Sequence, residues 1–283
     1  MSRLKIHHTT RYDYEGRVGL SYNEARMSPL TDAQQVVLES TVQVLPGAGA
    51  VQQYRDYWGT RVTAFDVGTP HDYLQVDAEA TVEVHRSERP AGAEHLAGWE
   101  VLGDEAAMGE FSDWLPQSAL SEPGPDVVAA VAHLAGAATP HEAALGVLAW
   151  LQENVEYVPG VTGVHFKAED VWAERRGVCQ DLAHLGIGAL RSLGIPARYV
   201  SGYIHPRPQA AIGETVAGQS HAWVEWWDGE WRSWDSTNHK PASDLHVSVA
   251  RGRDYRDVSP LKGIQAGGRG VTLDVSVKVT RLA

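Results

Sequence analysis

Apolar and polar residues alternate along the first third of the chain, which is the pattern of β-strands with one buried face. Apolar side chains at positions 36, 38, 42 and 44 share one parity and polar side chains at 39, 41 and 43 the other, and residues 81–85 alternate in the same way. Proline and glycine interrupt the pattern at short intervals, as they do at turns. The pattern predicts an antiparallel, β-sandwich-like N-terminal domain over residues 1–105.

A loosely patterned connector, 87–125, separates this region from helical periodicity. Thr139 is placed to cap a helix, with Pro140 at its first position and Glu142 in its first turn, and the helix is expected to reach Asn154. The sequence therefore predicts a second domain over residues 106–283 that begins with helices.

Cys179 begins a further helical segment, in which Leu182, Leu185, Ala189 and Leu193 recur at steps of three and four. A thiol in the first turn of a helix lies near unpaired backbone N–H groups, which favour an anion by roughly 0.3–1 kcal/mol and lower cysteine pKa values. A lone cysteine is often only a small buried hydrophobe. The residues that follow favour a nucleophile instead.

Two aromatic runs flank Asp228-Gly229, which is the pattern of a β-hairpin. A two-residue turn would place His221 opposite Ser236 and turn Asp235 to the other face. A three-residue loop, 227–229, would place His221 directly opposite Asp235, with Cβ atoms about 4.5–5.5 Å apart. We expect the second register, which gives a thiol nucleophile, an imidazole base and a carboxylate that orients it.

His184 is a rival to His221 as the base. It lies five residues after Cys179 on the predicted helix. Five residues correspond to about 140° around a helix axis, so the two side chains diverge. We expect His184, and the first-turn residues Gln180 and Asp181, to be structural.

Four stretches resemble the bacterial transglutaminase-like (cysteine protease-like) family: residues 177–185, 194–203, 221–225 and 235–238. Residues 250–260 are also similar to this family, and residues 21–29 resemble the β-rich N-terminal region that accompanies its core. The resemblance implies an α+β fold in which the N-terminal domain precedes a papain-like/transglutaminase-like core, with the nucleophile helix packed on an antiparallel sheet. It implies that Cys179, His221 and Asp235 form the catalytic triad. Ser236 departs from the family pattern, which has proline there in many relatives.

The charge composition of the chain argues against two classes of binding partner. With 24 basic and 36 acidic residues the net charge is −12, which argues against nucleic acid or an anionic membrane as the partner. No secretory signal or membrane span is recognised, and one cysteine allows no internal disulfide, so a reducing, cytoplasmic location is expected. The oligomeric state is left open.

No cofactor is expected, because thiol acyl transfer requires none. No metal is expected either, because the acidic residues do not have calcium-loop spacing and the adjacent His7 and His8 point to opposite faces of a strand. The glycine-rich stretch 263–270 lacks the Lys-Ser/Thr of a phosphate loop and predicts a turn before a last strand at 271–282.

The predicted function is cysteine-dependent acyl transfer or hydrolysis at an amide bond of a peptide, protein or other substrate, with water or an amine as acceptor. One alternative is a non-catalytic peptide- or protein-binding module on the same fold. Another is a sugar-binding protein built on the tryptophans of the predicted hairpin. A depressed thiol pKa is expected only of the enzyme.

Overall fold

The computed structural model describes residues 1–86 and 97–283, without the side chains of 107 and 108. The first ten residues of the predicted connector, 87–96, lie outside the described residues. No helix in the described ranges has the length and apolar character needed to cross a bilayer.

A seven-stranded antiparallel sheet contains all the strands of the N-terminal region, in the order β2-β5-β1-β14-β9, with β4 paired to both β1 and β3. Its strands are β1 (Ser2–Ala25), β2 (Gln35–Leu45), β3 (Val51–Arg55), β4 (Arg61–Val67), β5 (His71–Val84), β9 (Thr215–Ala217) and β14 (Leu261–Arg281). The predicted β-rich N-terminal region is confirmed.

The last strand returns to this first sheet. β14 pairs antiparallel with β1 from Leu4↔Arg281 to Ala25↔Leu261. The prediction of a turn over 263–270 is wrong, because these residues belong to β14 itself. The glycines instead lie where the pairing of β14 with β1 is irregular. Gly267, Gly268 and Gly270 have positive φ angles of 91°, 69° and 58°, which other residues rarely adopt. The boundary between residues 105 and 106 stays a prediction.

A second, five-stranded antiparallel sheet has the order β12-β11-β10-β8-β13. It consists of β8 (Ala197–Ile204), β10 (Gln219–Trp227), β11 (Trp231–Asp235), β12 (Lys240–Pro241) and β13 (His246–Gly252). The short parallel pair β6 (Glu156–Tyr157) and β7 (Arg176–Gly177) stands apart from both sheets.

Most helices precede the second sheet in the chain. The helices are α1 (Trp99–Leu102), α2 (Glu105–Glu110), α3 (Pro125–Val131), a 3₁₀ turn (Ala132–Gly136), α4 (Pro140–Asn154), α5 (Ala168–Glu174), α6 (Cys179–Ser192) and α7 (Tyr255–Val258). Of these, α6 and α7 pack against the strands of the second sheet. The predicted start of α4 is confirmed, since the Thr139 hydroxyl accepts from the Glu142 N–H at 3.2 Å.

Helix α6 lies between the sheet and the other helices. Every residue from Gln180 to Arg191 is buried. At Gly186 an added Cβ would touch Leu151 of α4 on one side and Val224 of β10 on the other. The nucleophile helix of the predicted core is therefore central, and its position is fixed by packing around its whole circumference.

The two regions share one hydrophobic core. Leu4, Val82 and Val279 of the N-terminal sheet belong to the same cluster as Leu182 and Val224 of the second region. Gln35 crosses this junction, because its side chain accepts from the Ser248 N–H at 2.8 Å and donates to the Ser248 carbonyl at 2.7 Å. A separate, smaller cluster lies within the N-terminal sheet.

Candidate active site

Cys179 is the first residue of α6 and is partly exposed. The helix start is fixed by Asp181, whose carboxylate accepts from the Val178 N–H at 2.8 Å and from the Thr162 hydroxyl. A Cβ at Gly177 would lie 2.7 Å from the Cβ of Asp181, so glycine permits this close approach. Asp181 therefore has the structural role expected of it, and burial raises its pKa above the ordinary value.

His221 and Asp235 meet at the open end of the β10–β11 hairpin. His221 Nε2 lies 2.8 Å from Asp235 Oδ2, and both side chains are buried. The predicted contact is present in the structure.

The predicted strand register is wrong by two residues. The observed pairs include Val224↔Trp234 and Trp227↔Trp231, so the three-residue loop is 228–230 rather than 227–229. Continuing this register places Asp235 level with Trp223, and His221 is its diagonal neighbour on the same face. A shift of two preserves the face of every side chain, which is why the contact survives.

The Asp235 carboxylate accepts five hydrogen bonds. Oδ2 accepts from His221, from His246 at 2.9 Å and from the Asn238 side chain at 2.7 Å, while Oδ1 accepts from the N–H groups of Thr237 and Asn238. Burial alone would raise the pKa of this carboxyl, but these donors, His221 first among them, hold it well below its usual range. Asp235 is therefore an anion at every pH near neutrality.

His221 is held as a cation. Burial would lower the pKa of its ring, yet hydrogen bonds to Asp235 and to Cys179, together with the negative charge of both groups, raise the pKa to about 9. Because Nε2 faces Asp235, Nδ1 is the nitrogen left for the thiol. The arrangement suits an imidazolium that can donate a proton from Nδ1 near Cys179.

Sequence reasoning missed His246, the first residue of β13. Its Nε2 lies 2.9 Å from the oxygen that His221 contacts, and its Nδ1 accepts from the Ser243 N–H at 3.0 Å. β13 pairs with β8, not with the hairpin, so local spacing could not place it beside Asp235. The available signal was a histidine at the start of an apolar strand, four residues before the stretch 250–260.

His221, Asp235 and His246 offer ligand atoms within 4.8 Å of one another, which raises the question of a metal. A backbone N–H can only donate, so the Ser243 N–H at 3.0 Å from Nδ1 leaves His246 with its proton on Nε2. A metal ligand would need the Nε2 lone pair. The donor set therefore fits a hydrogen-bonded cluster better than a metal centre.

His184 does not join the site. It is fully buried, and its Nε2 accepts from the Tyr255 N–H at 3.1 Å. Burial lowers its pKa to about 3, so it remains neutral. The structural role expected of His184 agrees with these contacts.

The tryptophans of the hairpin pack into the protein rather than form a sugar platform. Trp223 and Trp226 are buried, Trp227 packs against Phe111 with ring centroids 4.7 Å apart, and Trp231 packs edge-on against Trp114. No observation in the described residues favours the sugar-binding alternative.

Comparisons with known proteins identify the family of the chain. Residues 4–83 match the bacterial transglutaminase-like N-terminal region, and residues 129–236 match the transglutaminase-like superfamily. An uncharacterized protein of Mycobacterium leprae is 41% identical over 283 residues, which cover 100% of both chains. The chain belongs to the transglutaminase-like superfamily. An uncharacterized protein of Mycobacterium tuberculosis is 29% identical over 98% of this chain and 92% of the relative.

A solved structure shows the same transglutaminase-like fold. The crystal structure of a candidate cysteine protease from Cytophaga hutchinsonii superposes with a TM-score of 0.74 at 22% identity, and covers 99% of this chain and 97% of that one. The fold predicted from the sequence, a β-rich N-terminal region followed by a transglutaminase-like core, is confirmed. The superfamily match over 129–236 includes Cys179, His221 and Asp235 and ends before His246.

Proposed function

We propose that this protein is a cysteine-dependent enzyme that transfers an acyl group from an amide, with Cys179 as nucleophile, His221 as acid and base, and Asp235 as the group that orients His221. The observation that carries the proposal is the 2.8 Å contact between His221 Nε2 and Asp235 Oδ2 beside a partly exposed thiol at a helix N-terminus. Its substrate is a peptide, a protein or another molecule that carries an amide.

The acylation step follows from these positions. The Cys179 thiolate attacks the amide carbonyl carbon, and a C–S bond forms while the carbonyl π electrons move to oxygen. The N-terminus of α6 lies next to the oxyanion, and the Cys179 N–H is a suitable donor to it. His221 gives its Nδ1 proton to the departing nitrogen, the C–N bond breaks, and a thioester remains.

Deacylation uses the same groups in reverse. Neutral His221 takes a proton from water or from an amine, which attacks the thioester carbon. The C–S bond breaks and the thiolate returns. Water as acceptor gives hydrolysis or deamidation, and an amine gives a new amide.

The resting charge state can be tested without a substrate. Cys179 is the single cysteine, so iodoacetamide labels one site. We expect iodoacetamide to alkylate Cys179 of the wild type at about pH 6, and to alkylate it much more slowly in His221→Ala. The Cys179→Ala variant controls for labelling elsewhere.

An ordinary thiol profile that is indifferent to His221 would contradict the ion pair and favour the binding module on the same fold. If the ion pair is present, amide substrates are screened with and without an added amine, and Cys179→Ala should be inactive on any substrate found. Cytoplasmic location remains part of the proposal and is tested by fractionation of cells that produce the protein.

A further inference from the structure

His246 is a completely buried polar residue in direct contact with the candidate site. Its side chain has a relative exposure of 0%. Nε2 is 2.9 Å from Asp235 Oδ2, and Nδ1 is 3.0 Å from the Ser243 nitrogen and 3.3 Å from the Ser243 hydroxyl. Both ring nitrogens are therefore engaged, and neither contacts Cys179.

The surroundings of His246 define which proton it carries. The Ser243 N–H occupies Nδ1, so the ring is the neutral Nε2–H tautomer and donates to Asp235. The pKa of His246 is lowered, mainly by burial and also by the positive charges of His221 and Arg86. The carboxylate of Asp235 acts in the opposite direction but does not outweigh them. Trp223, edge-on at 5.4 Å, closes another side of the ring.

Three donors converge on one carboxylate oxygen. Asp235 Oδ2 accepts from His221, His246 and the Asn238 side chain. Backbone N–H groups of Thr237 and Asn238 hold the other oxygen. Of the three donors to Oδ2, His221 changes its protonation during acyl transfer, while a neutral His246 remains a donor throughout.

We propose that His246 is a positioning residue, which donates its Nε2–H to Asp235 and thereby fixes the carboxylate oxygen that orients His221 toward Cys179. This inference rests on the proposed function. Because His246 lies on β13 and His221 on β10, the contact also ties the site to a strand outside the hairpin.

Two variants distinguish the hydrogen bond that His246 donates from the volume that its side chain fills. His246→Leu removes both polar atoms at similar volume, whereas His246→Gln supplies an amide N–H toward Asp235 and an oxygen toward the Ser243 N–H. We expect iodoacetamide alkylation of Cys179 at about pH 6 to slow about tenfold in His246→Leu, the worth of one charge-assisted hydrogen bond. In His246→Gln the rate should stay within about threefold of wild type, because the amide N–H keeps a hydrogen bond to the same carboxylate.

A matched control is His71→Leu. His71 is also buried and also bonds through Nδ1, to the Thr69 carbonyl at 2.8 Å, but it belongs to the N-terminal sheet. Its replacement tests whether loss of any buried histidine slows alkylation through general destabilisation. We expect the rate to be that of wild type, with thermal unfolding recorded for every variant.

Nitrogen NMR of the wild type gives a second test that needs no variant to fold. We expect the His246 ring to keep its proton on Nε2 and none on Nδ1 at neutral pH and above, while the His221 ring loses its proton around pH 9. A cationic ring or an Nδ1–H tautomer would overturn the inference.

The alkylation outcomes separate this inference from the proposed function. If wild type and His221→Ala alkylate alike, the ion pair itself is absent and the proposed function fails. If alkylation depends on His221 but His246→Leu matches wild type, only the positioning role fails. If His246→Leu and His246→Gln are equally slow while His71→Leu is normal, the donated hydrogen bond is not the cause and the inference is again overturned.

Discussion

His221 reaches Asp235 diagonally across the β10–β11 hairpin, and the 2.8 Å contact joins the one site histidine with a raised pKa to a carboxylate with a strongly lowered one. Each group stabilises the charged form of the other. The pair is therefore ionised throughout the neutral range, and its charge state depends on both partners.

Replacing Asp235 by asparagine should lower the pKa of His221. Burial already acts to lower it, and the carboxylate is the largest influence in the other direction, so its loss should move the pKa from about 9 toward the ordinary value near 6.5 or below. NMR titration of the His221 ring measures this shift directly.

Asp77→Asn is the matched control for that experiment. Asp77 accepts from the Thr9 hydroxyl in the N-terminal sheet, and its replacement should leave the His221 titration unchanged. An unchanged titration in Asp235→Asn would mean that the carboxylate does not hold the imidazolium.

The raised pKa of His221 also links stability to pH. A group whose pKa is higher in the folded state contributes stability that is fully present below its unfolded pKa, near 6.5, and is lost as the pH rises through about 9. Asp235 stays ionised over this pH range, so it does not add to the change of unfolding free energy with pH. A shift from 6.5 to about 9 corresponds to roughly 3 kcal/mol.

We therefore expect the difference in unfolding free energy between wild type and His221→Gln to shrink between about pH 6 and about pH 9.5, by at most roughly 3 kcal/mol. Urea denaturation at several pH values measures the difference. A difference that stays constant with pH would exclude a raised His221 pKa.

The local elements were predictable because their determinants are local. The cap of Thr139 on Glu142 and the start of α6 at Cys179 follow from residues within one helical turn. The face shared by His221 and Asp235 follows from strand alternation, which a register error of two residues leaves intact.

Pairings between distant segments could not be read in the same way. β14 joins β1 across more than two hundred residues, and His246 meets Asp235 because β13 pairs with β8. Nothing in the sequence of β13 or β14 specifies the strand with which it pairs. These contacts depend on which strands pair within each sheet, so the second histidine of the site became visible only in the structure.

Glu225 is a carboxylate of the second sheet, outside the candidate site, that should be costly to neutralise. It is buried on β10, and its Oε2 lies 2.6 Å from Arg198 and 2.9 Å from Arg251. Burial would raise its pKa, but Arg251 and Arg198 lower the pKa to about 2. Removing one partner of a buried ion pair leaves uncompensated charge and typically costs about 3–5 kcal/mol.

We expect Glu225→Gln to lower the unfolding free energy by roughly 3 kcal/mol at neutral pH, measured by urea denaturation. The contribution should be fully present above about pH 4.5 and be lost as the pH falls toward about 2. Glu79→Gln is the control, since its contact with Lys5 at 3.2 Å is exposed and should contribute less than about 1 kcal/mol. Equal losses in both variants would contradict the role of burial.

Gly186 and Gly188, two residues apart on α6, should respond oppositely to alanine. A Cβ at Gly186 would make ordinary contacts of 3.4 and 3.5 Å, whereas one at Gly188 would lie 1.9 Å from the Ser121 carbonyl oxygen.

Alanine in place of glycine stabilises a helix interior by up to about 1 kcal/mol where space permits, and overpacking against backbone typically costs about 1–3 kcal/mol. We expect Gly186→Ala to be neutral or stabilising and Gly188→Ala to lower the unfolding free energy by at least about 1 kcal/mol in urea. Because the two variants share helix, chemistry and burial, equal effects would mean that the segment around Ser121 does not pack against α6 as the structure places it.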